Sequence, residues 1–146
     1  PANRWTNWNR SNPEASVGVL FGDSGILSKR SVDNLSVGFH EDHGVGVPKS
    51  YVIEYYVGKT VPTAPKNPSF VGEENHAFND PANWKEVSNL KAPAQLKAGE
   101  MNHFSFDKVE TYAVRIRMVR LDSKKGTSIT EVQIFAKQVA AAIIKC

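Results

Sequence analysis

The 146-residue chain has one cysteine, and it is the last residue, Cys146. A disulfide framework needs pairs and a thiolate metal site needs a cluster, so both are excluded and the fold must rest on its apolar core. A lone terminal thiol is compatible with either side of a bacterial membrane. No run approaches the roughly 18 consecutive apolar residues of a membrane span, which excludes insertion by a helix. Charge of one sign is also missing. The 18 Lys and Arg and 15 Asp and Glu are spread along the chain without a block, so neither a nucleic-acid-binding tail nor a basic membrane anchor is present. Sustained helical periodicity and internal repeats are absent too. Pro1 opens the chain with no initiator Met and no leader, so a piece of a longer, multidomain chain is expected.

What is present is period-two alternation between turn signals. Val17, Val19 and Phe21 share one side of a first strand. Leu35, Val37 and Phe39 share one side of a second, and Tyr51, Ile53 and Tyr55 of a third. Trp84 to Val87, Phe104 with Phe106, and Val132 with Ile134 mark further strands. In Tyr112 to Val119, Val114, Ile116 and Met118 face one way while Arg115 and Arg117 share what reads as a solvated face. About seven short strands without a helix predict an all-β antiparallel sandwich or barrel. With 40% hydrophobic residues the length suits one domain, residues 1–138, followed by a tail or linker, 139–146. An isolated module of this kind is expected to be monomeric.

The chemistry-bearing residues lie in loops. HEDHGVGVPK, between the second and third strands, packs His40, Glu41, Asp42 and His43 beside Gly and Pro residues, more than a connection requires. The bland reading is that Asp42 and His43 only shape a solvated turn. RWTNWNR sets Trp5, Asn7 and Trp8 among polar residues ahead of the first strand, which suits either a polar ligand or a plug for the end of the core. LDSKKGTS carries Lys124 and Lys125. Gly58 to Asn83, with four prolines and no period, is long enough to border a ligand or to be an insertion. GDSG at 22–25 spells the surroundings of a protease serine. The chain is too short for that fold, so a Gly-rich turn is expected instead.

The pieces in order (RWTNW, VGVLF, VDNLSVGF, HEDHGVGVP, SYVIEYYV, NWKEV, HFSF, YAVRIRM, SITEVQIF) resemble the discoidin or coagulation-factor C-domain fold, a galactose-binding-like, jelly-roll-like β-sandwich. Carbohydrate-binding modules of family 32 share that fold. RWTNW and YVIEYY look most like family 71, the modules appended to large surface β-galactosidases of Gram-positive bacteria. The resemblance spans Arg4 to Phe135. It implies a non-catalytic module that recognises terminal β-galactose, as galactose, lactose or N-acetyllactosamine, and targets a larger glycoside hydrolase to host glycans. An extracellular location follows, secreted or attached to the cell wall. A discoidin-like adhesion module without sugar specificity is the competing implication.

Sugar recognition needs an aromatic floor for the C–H face of the ring and fixed polar groups for its hydroxyls. Trp5 and Trp8 are the candidates for the floor; Asn7, His40, Glu41, Asp42, His43, Lys124 and Lys125 are the candidates for the polar groups. The family 32 pattern W-H-T-x-W is not reproduced. Trp8 matches its second tryptophan, Trp5 or Thr6 stands where its histidine belongs, His40 falls at its arginine, Val45 at its asparagine, and Lys124 to Thr127 replace its final aromatic. No cofactor is required. Many members of the fold hold a structural calcium, and Glu131 matches the glutamate that serves it, although the usual Asp-Gly loop is missing. An enzyme reading rests on His40 and His43 at H-x-x-H spacing beside two carboxylates, but it lacks further ligands on a rigid element.

Overall fold

The computed structural model describes residues 4–8, 10–23, 25–67 and 69–138, and within these the chain forms a two-layer sandwich. The predicted tail, 139–146, and Ser24 of the GDSG turn lie outside the described residues. The strands are β1 (Trp5–Thr6), β2 (Glu14–Leu20), β3 (Gly22–Asp23), β4 (Ile26–Leu27), β5 (Arg30–Phe39), β6 (Val45–Gly46), β7 (Ser50–Tyr56), β8 (Trp84–Glu86), β9 (Met101–Thr111), β10 (Ala113–Val119), β11 (Gly126–Gln133) and β12 (Ala136–Gln138). Helix is confined to two 3-10 turns, Ala77–Asn79 and Pro81–Asn83.

One sheet is centred on β5. Strands β11 and β12 pair antiparallel along one edge of it and β9 along the other, while β1 extends the sheet beyond β11. The second sheet runs β2-β10-β7-β8, antiparallel throughout. The alternation read from the sequence points Leu35, Val37 and Phe39 inward from β5, with Phe104 and Phe106 of β9 and Ile129 of β11. Ile53, Val114, Ile116 and Met118 meet them from the other layer. Tyr51 closes on Phe104 edge to face at 5.3 Å, an interlayer contact of the favoured aromatic geometry. The GDSG segment opens the small β3–β4 hairpin, with Gly25 at φ 81°, a left-handed turn position that suits glycine.

Strand directions give the sandwich two distinct ends. The loop 40–49 joins the end of β5 to the start of β7, and 120–125 joins the end of β10 to the start of β11. Val119 lies opposite both Ser50 and Glu14, so these loops and the turn after β1 crowd one end. Leu20, Tyr55 and Ala113 mark the other.

Two sequence expectations change here. The long segment 58–83 does not border the charged loop; it covers the outer face of the second sheet at the opposite end. Its Phe70 and Phe78 pack with Tyr56, Trp84, Ala113, Tyr112 and Leu27 into a second, smaller core. The segment is pinned by Trp84 Nε1, which donates to the Phe78 carbonyl at 2.8 Å, and by His76. The His76 ring accepts from Phe78 N at Nδ1 and bonds the Thr63 carbonyl through Nε2. The arginine face of β10 is not simply solvated either. Glu54 Oε1 accepts from Arg115 Nε at 3.0 Å and Arg117 Nε at 3.1 Å, and the Arg115 guanidinium lies 4.1 Å over the Trp84 ring. Burial lowers the Arg115 pKa, while the Glu54 hydrogen bond raises that of Arg117. Alternation identified the outward face correctly but carried no sign that a loop and a carboxylate would cover it.

Candidate functional site

Three segments distant in sequence meet at the loop end, and Asn7 is their clasp. Its backbone N–H donates to Thr127 O at 3.2 Å and its Oδ1 accepts from Thr127 N at 2.6 Å. The Gly126 N–H reaches Gly44 O at 2.9 Å, and β6 runs parallel to the start of β11. Asn7 is buried in this junction, so it builds the site and does not face solvent.

The loop HEDHGVGVPK is organised by Asp42. Its Oδ1 accepts from Gly44 N at 2.8 Å and Val45 N at 3.1 Å, closing an Asx turn. Its Oδ2 accepts from Arg4 Nη1 at 3.1 Å and His40 Nε2 at 3.2 Å. The Gly44 hydrogen bond first, then Arg4 and His40, favour the ionised carboxylate and hold its pKa at about 2 against 3.8 ordinarily. All four bonds are internal, so Asp42 acts as a scaffold for the loop. Arg4 escaped the sequence reading because its partner lies 38 residues away and no local pattern joins them. The arginine at the head of RWTNW was the sole signal.

The two tryptophans part company. Trp5 pairs with Ile129 and packs against the main core, whereas Trp8 is 57% exposed. Trp8 lies against Gly44: a methyl group on that glycine would come within 2.7 Å of the indole Nε1 and 2.9 Å of Cδ1. Gly44, unremarked in the sequence beyond its turn chemistry, is therefore the seat of the exposed ring. Gly46 plays a parallel part. The Lys125 stem crosses it, with Cε 2.9 Å from where a Cβ would stand, and the Glu41 carboxylate reaches the same spot at 3.6 Å. Lys124 and Lys125 sit on a turn closed by Asp122 Oδ1, which accepts both their backbone N–H groups at 2.7 and 2.9 Å. Lys124, Glu41 and His43 are exposed, and His40 is half-buried. Trp8 thus lies on Gly44, and Lys125 with Glu41 on Gly46, while His40 and Arg4 are joined to the same loop through Asp42 Oδ2. Lys124 and His43, both exposed, make no side-chain hydrogen bond or ion pair with these residues.

Among the described residues no three His, Cys, Asp or Glu side chains come together. His40 is committed to Asp42, so the H-x-x-H pair does not present two free imidazoles. Glu131 is exposed opposite Gly38, and its Oε1 accepts from Gln133 Nε2 at 2.6 Å. Calcium takes six to eight oxygen ligands, and among the described residues Glu131 belongs to no cluster of three His, Cys, Asp or Glu side chains.

A family model described as BgaA-like CBM, the beta-galactosidase-like galactose-binding domain, matches residues 1–132. A solved structure from the Streptococcus pneumoniae beta-galactosidase BgaA is 91% identical and covers 94% of this chain and 77% of that one, with a TM-score of 0.88. A chitosan-binding module from a Paenibacillus sp. IK-5 chitosanase/glucanase is 15% identical over 90% of this chain and 74% of that one. Its TM-score of 0.55 speaks for the shared fold alone. No curated protein matches the chain.

Proposed function

Because the chain belongs to the BgaA-like carbohydrate-binding modules, non-catalytic galactose-binding domains of beta-galactosidases, we propose that its loop end binds terminal β-galactose. The ligand in this reading is galactose, lactose or N-acetyllactosamine on host glycans, and binding tethers the parent glycosidase to its substrate outside the cell. The carrying observation is Trp8, a large aromatic left 57% exposed with its indole seated on Gly44, two residues from the Gly46 that Lys125 and Glu41 approach.

The physical case follows from galactose itself. Its axial hydroxyl leaves one face as a continuous C–H patch that an indole can cover, with burial and stacking as the gain. The remaining hydroxyls need directed partners, and charged or charge-assisted groups contribute roughly 1.5–3 kcal/mol each. His40, Glu41 and Lys125 serve here, with Arg4 and Asp42 holding His40 in place. An open site of this kind buries little area and must offset the entropy of association, so a single module binds weakly.

Calorimetric titration with galactose, lactose and N-acetyllactosamine tests the proposal. The expected result is saturable binding at millimolar ligand that Trp8→Ala abolishes while the fold persists. No heat at millimolar galactoside, or full affinity in Trp8→Ala, overturns it.

A further inference from the structure

We propose that Asp42 is a positioning residue that fixes the tautomer of His40, so that the site presents an acceptor nitrogen, Nδ1, and requires a ligand hydroxyl to donate to it. The inference rests on the galactoside reading above for the ligand, but its tautomeric half stands on the loop alone.

The hydrogen-bond inventory of the loop leaves little freedom. An ionised carboxylate is acceptor-only, and Asp42 uses both oxygens, Oδ1 for the Gly44 and Val45 amides and Oδ2 for Arg4 and His40. A neutral imidazole carries one proton, and the nitrogen facing Asp42 is Nε2, at 3.2 Å. That contact is a hydrogen bond only with the proton on Nε2. The partner carboxylate of a histidine sets which ring nitrogen is bare, and here it is Nδ1, which bonds to no described residue. Arg4 strengthens the arrangement, because its guanidinium on the same Oδ2 keeps the carboxylate ionised without supplying an acceptor that would compete for the imidazole proton.

The consequence is a polarity for recognition. A sugar hydroxyl donates or accepts as its surroundings ask, but opposite a bare Nδ1 it must donate. A fluorine or methoxy group in its place has no proton to give and leaves Nδ1 unpartnered in the complex. The site therefore distinguishes a free hydroxyl from its isosteric replacement by the loss of one hydrogen bond, about tenfold in affinity.

Asp42→Asn inverts this while preserving the turn. The amide oxygen continues to accept from Gly44 and Val45, the amide nitrogen replaces Oδ2 as a donor, and His40 must then accept at Nε2 and carry its proton on Nδ1. Long-range proton–nitrogen NMR of the imidazole, at a pH of about 8 where an ordinary histidine is neutral, reads the tautomer directly. The expected result is Nε2–H in the wild-type module, Nδ1–H in Asp42→Asn and wild-type behaviour in Arg4→Met. An Nδ1–H wild-type ring overturns the proposal. So does an unchanged tautomer in Asp42→Asn whose Gly44 and Val45 amide shifts report an intact turn. Should that variant lose its turn, the wild-type and Arg4→Met spectra still decide the matter, and a departure from Nε2–H in either overturns it.

The ligand half is read by titrating galactose and its monofluoro-deoxy analogues, each hydroxyl replaced in turn. The wild-type module is expected to lose about tenfold for one analogue, and Asp42→Asn to narrow that penalty because its ring now donates toward fluorine. Equal affinities for all analogues overturn the required hydroxyl donor. Absence of binding to galactose itself refutes the galactoside reading and leaves the tautomer result standing.

Discussion

Replacing Phe78 by alanine separates the two ends of the molecule. The ring is buried in the second core, 4.8 Å from Tyr56, 5.9 Å from Trp84 and stacked at 5.2 Å on His76. Truncating a buried phenylalanine costs about 3–5 kcal/mol. The covering wall here is a surface segment that can settle into the space, so the lower figure applies, about 3 kcal/mol. For a chain of this size that corresponds to a fall in melting temperature of roughly 10 °C. The hydrogen bond from Trp84 to residue 78 uses the main-chain carbonyl and survives the truncation, so Trp84 keeps its anchor and serves as a fluorescence reporter in urea unfolding. Because 58–83 packs at the end opposite Trp8 and His40, galactoside affinity measured well below the new melting point should be unchanged. A loss of affinity with native near-ultraviolet circular dichroism would return the long segment to the ligand site and refute its assignment as a second core.

Four further outcomes follow from the geometry. The Asp42 carboxyl sits at about 2 against 3.8, so its contribution to loop order is complete above the ordinary value and lost as the pH falls through about 2. The Gly44 and Val45 amide resonances should titrate with that lower midpoint, and a midpoint near 3.8 contradicts the four-bond carboxylate. Glu54→Ala leaves Arg115 and Arg117 without their shared acceptor beneath the Trp84 cover and should cost about 3 kcal/mol in denaturant unfolding, whereas removing Glu54 and Arg115 together, each to Met, should cost much less. Gly44→Ala drives a methyl group into the Trp8 indole and should weaken galactoside binding in calorimetry; an unaltered affinity would remove Trp8 and its seat from the site. A chelator should leave the melting temperature unchanged, since among the described residues Glu131 joins no cluster of acidic or histidine side chains, and a drop in calorimetric midpoint would refute this.

The sandwich was legible because period-two alternation is a direct imprint of the pleat. Leu35, Val37 and Phe39 share one side of an extended strand and are buried together, and the strand ends fall where Gly, Pro and Asn cluster. The loops were legible as chemistry but not as geometry. HEDHGVGVPK announced itself by composition. Yet whether Asp42 faces a ligand or its own turn depends on two backbone amides and on Arg4, and none of these leaves a periodic trace. The same blindness separated Trp5 from Trp8 only after folding, since both are tryptophans in polar company and the difference is the single residue that turns β1 into a loop. It also hid the second core. Phe70 and Phe78 show no period because a turn closed by Asn67 places the first and a 3-10 turn capped by His76 places the second, not a regular element.

That division of labour bears on how the site stays open. An exposed indole is an association hazard unless it is held against the fold, and here glycines whose missing side chains let Trp8 and Lys125 approach the backbone closely provide the seat. Asn7 Oδ1, Asp42 Oδ1 and Asp122 Oδ1 each accept from main-chain amides, which fixes three loops and leaves Glu41 and Lys125 to face a ligand. The far end carries the opposite solution, where aromatic residues are covered by 58–83 and stability gains by their burial. On the galactoside reading proposed above, a module built this way would bind weakly alone, because a preformed shallow surface limits the ordering cost but also the area gained. Attachment to a larger chain supplies the remainder. A second engaged site raises effective concentration into the millimolar range for a short linker, so on the galactoside reading proposed above a weak single-module affinity would become avidity.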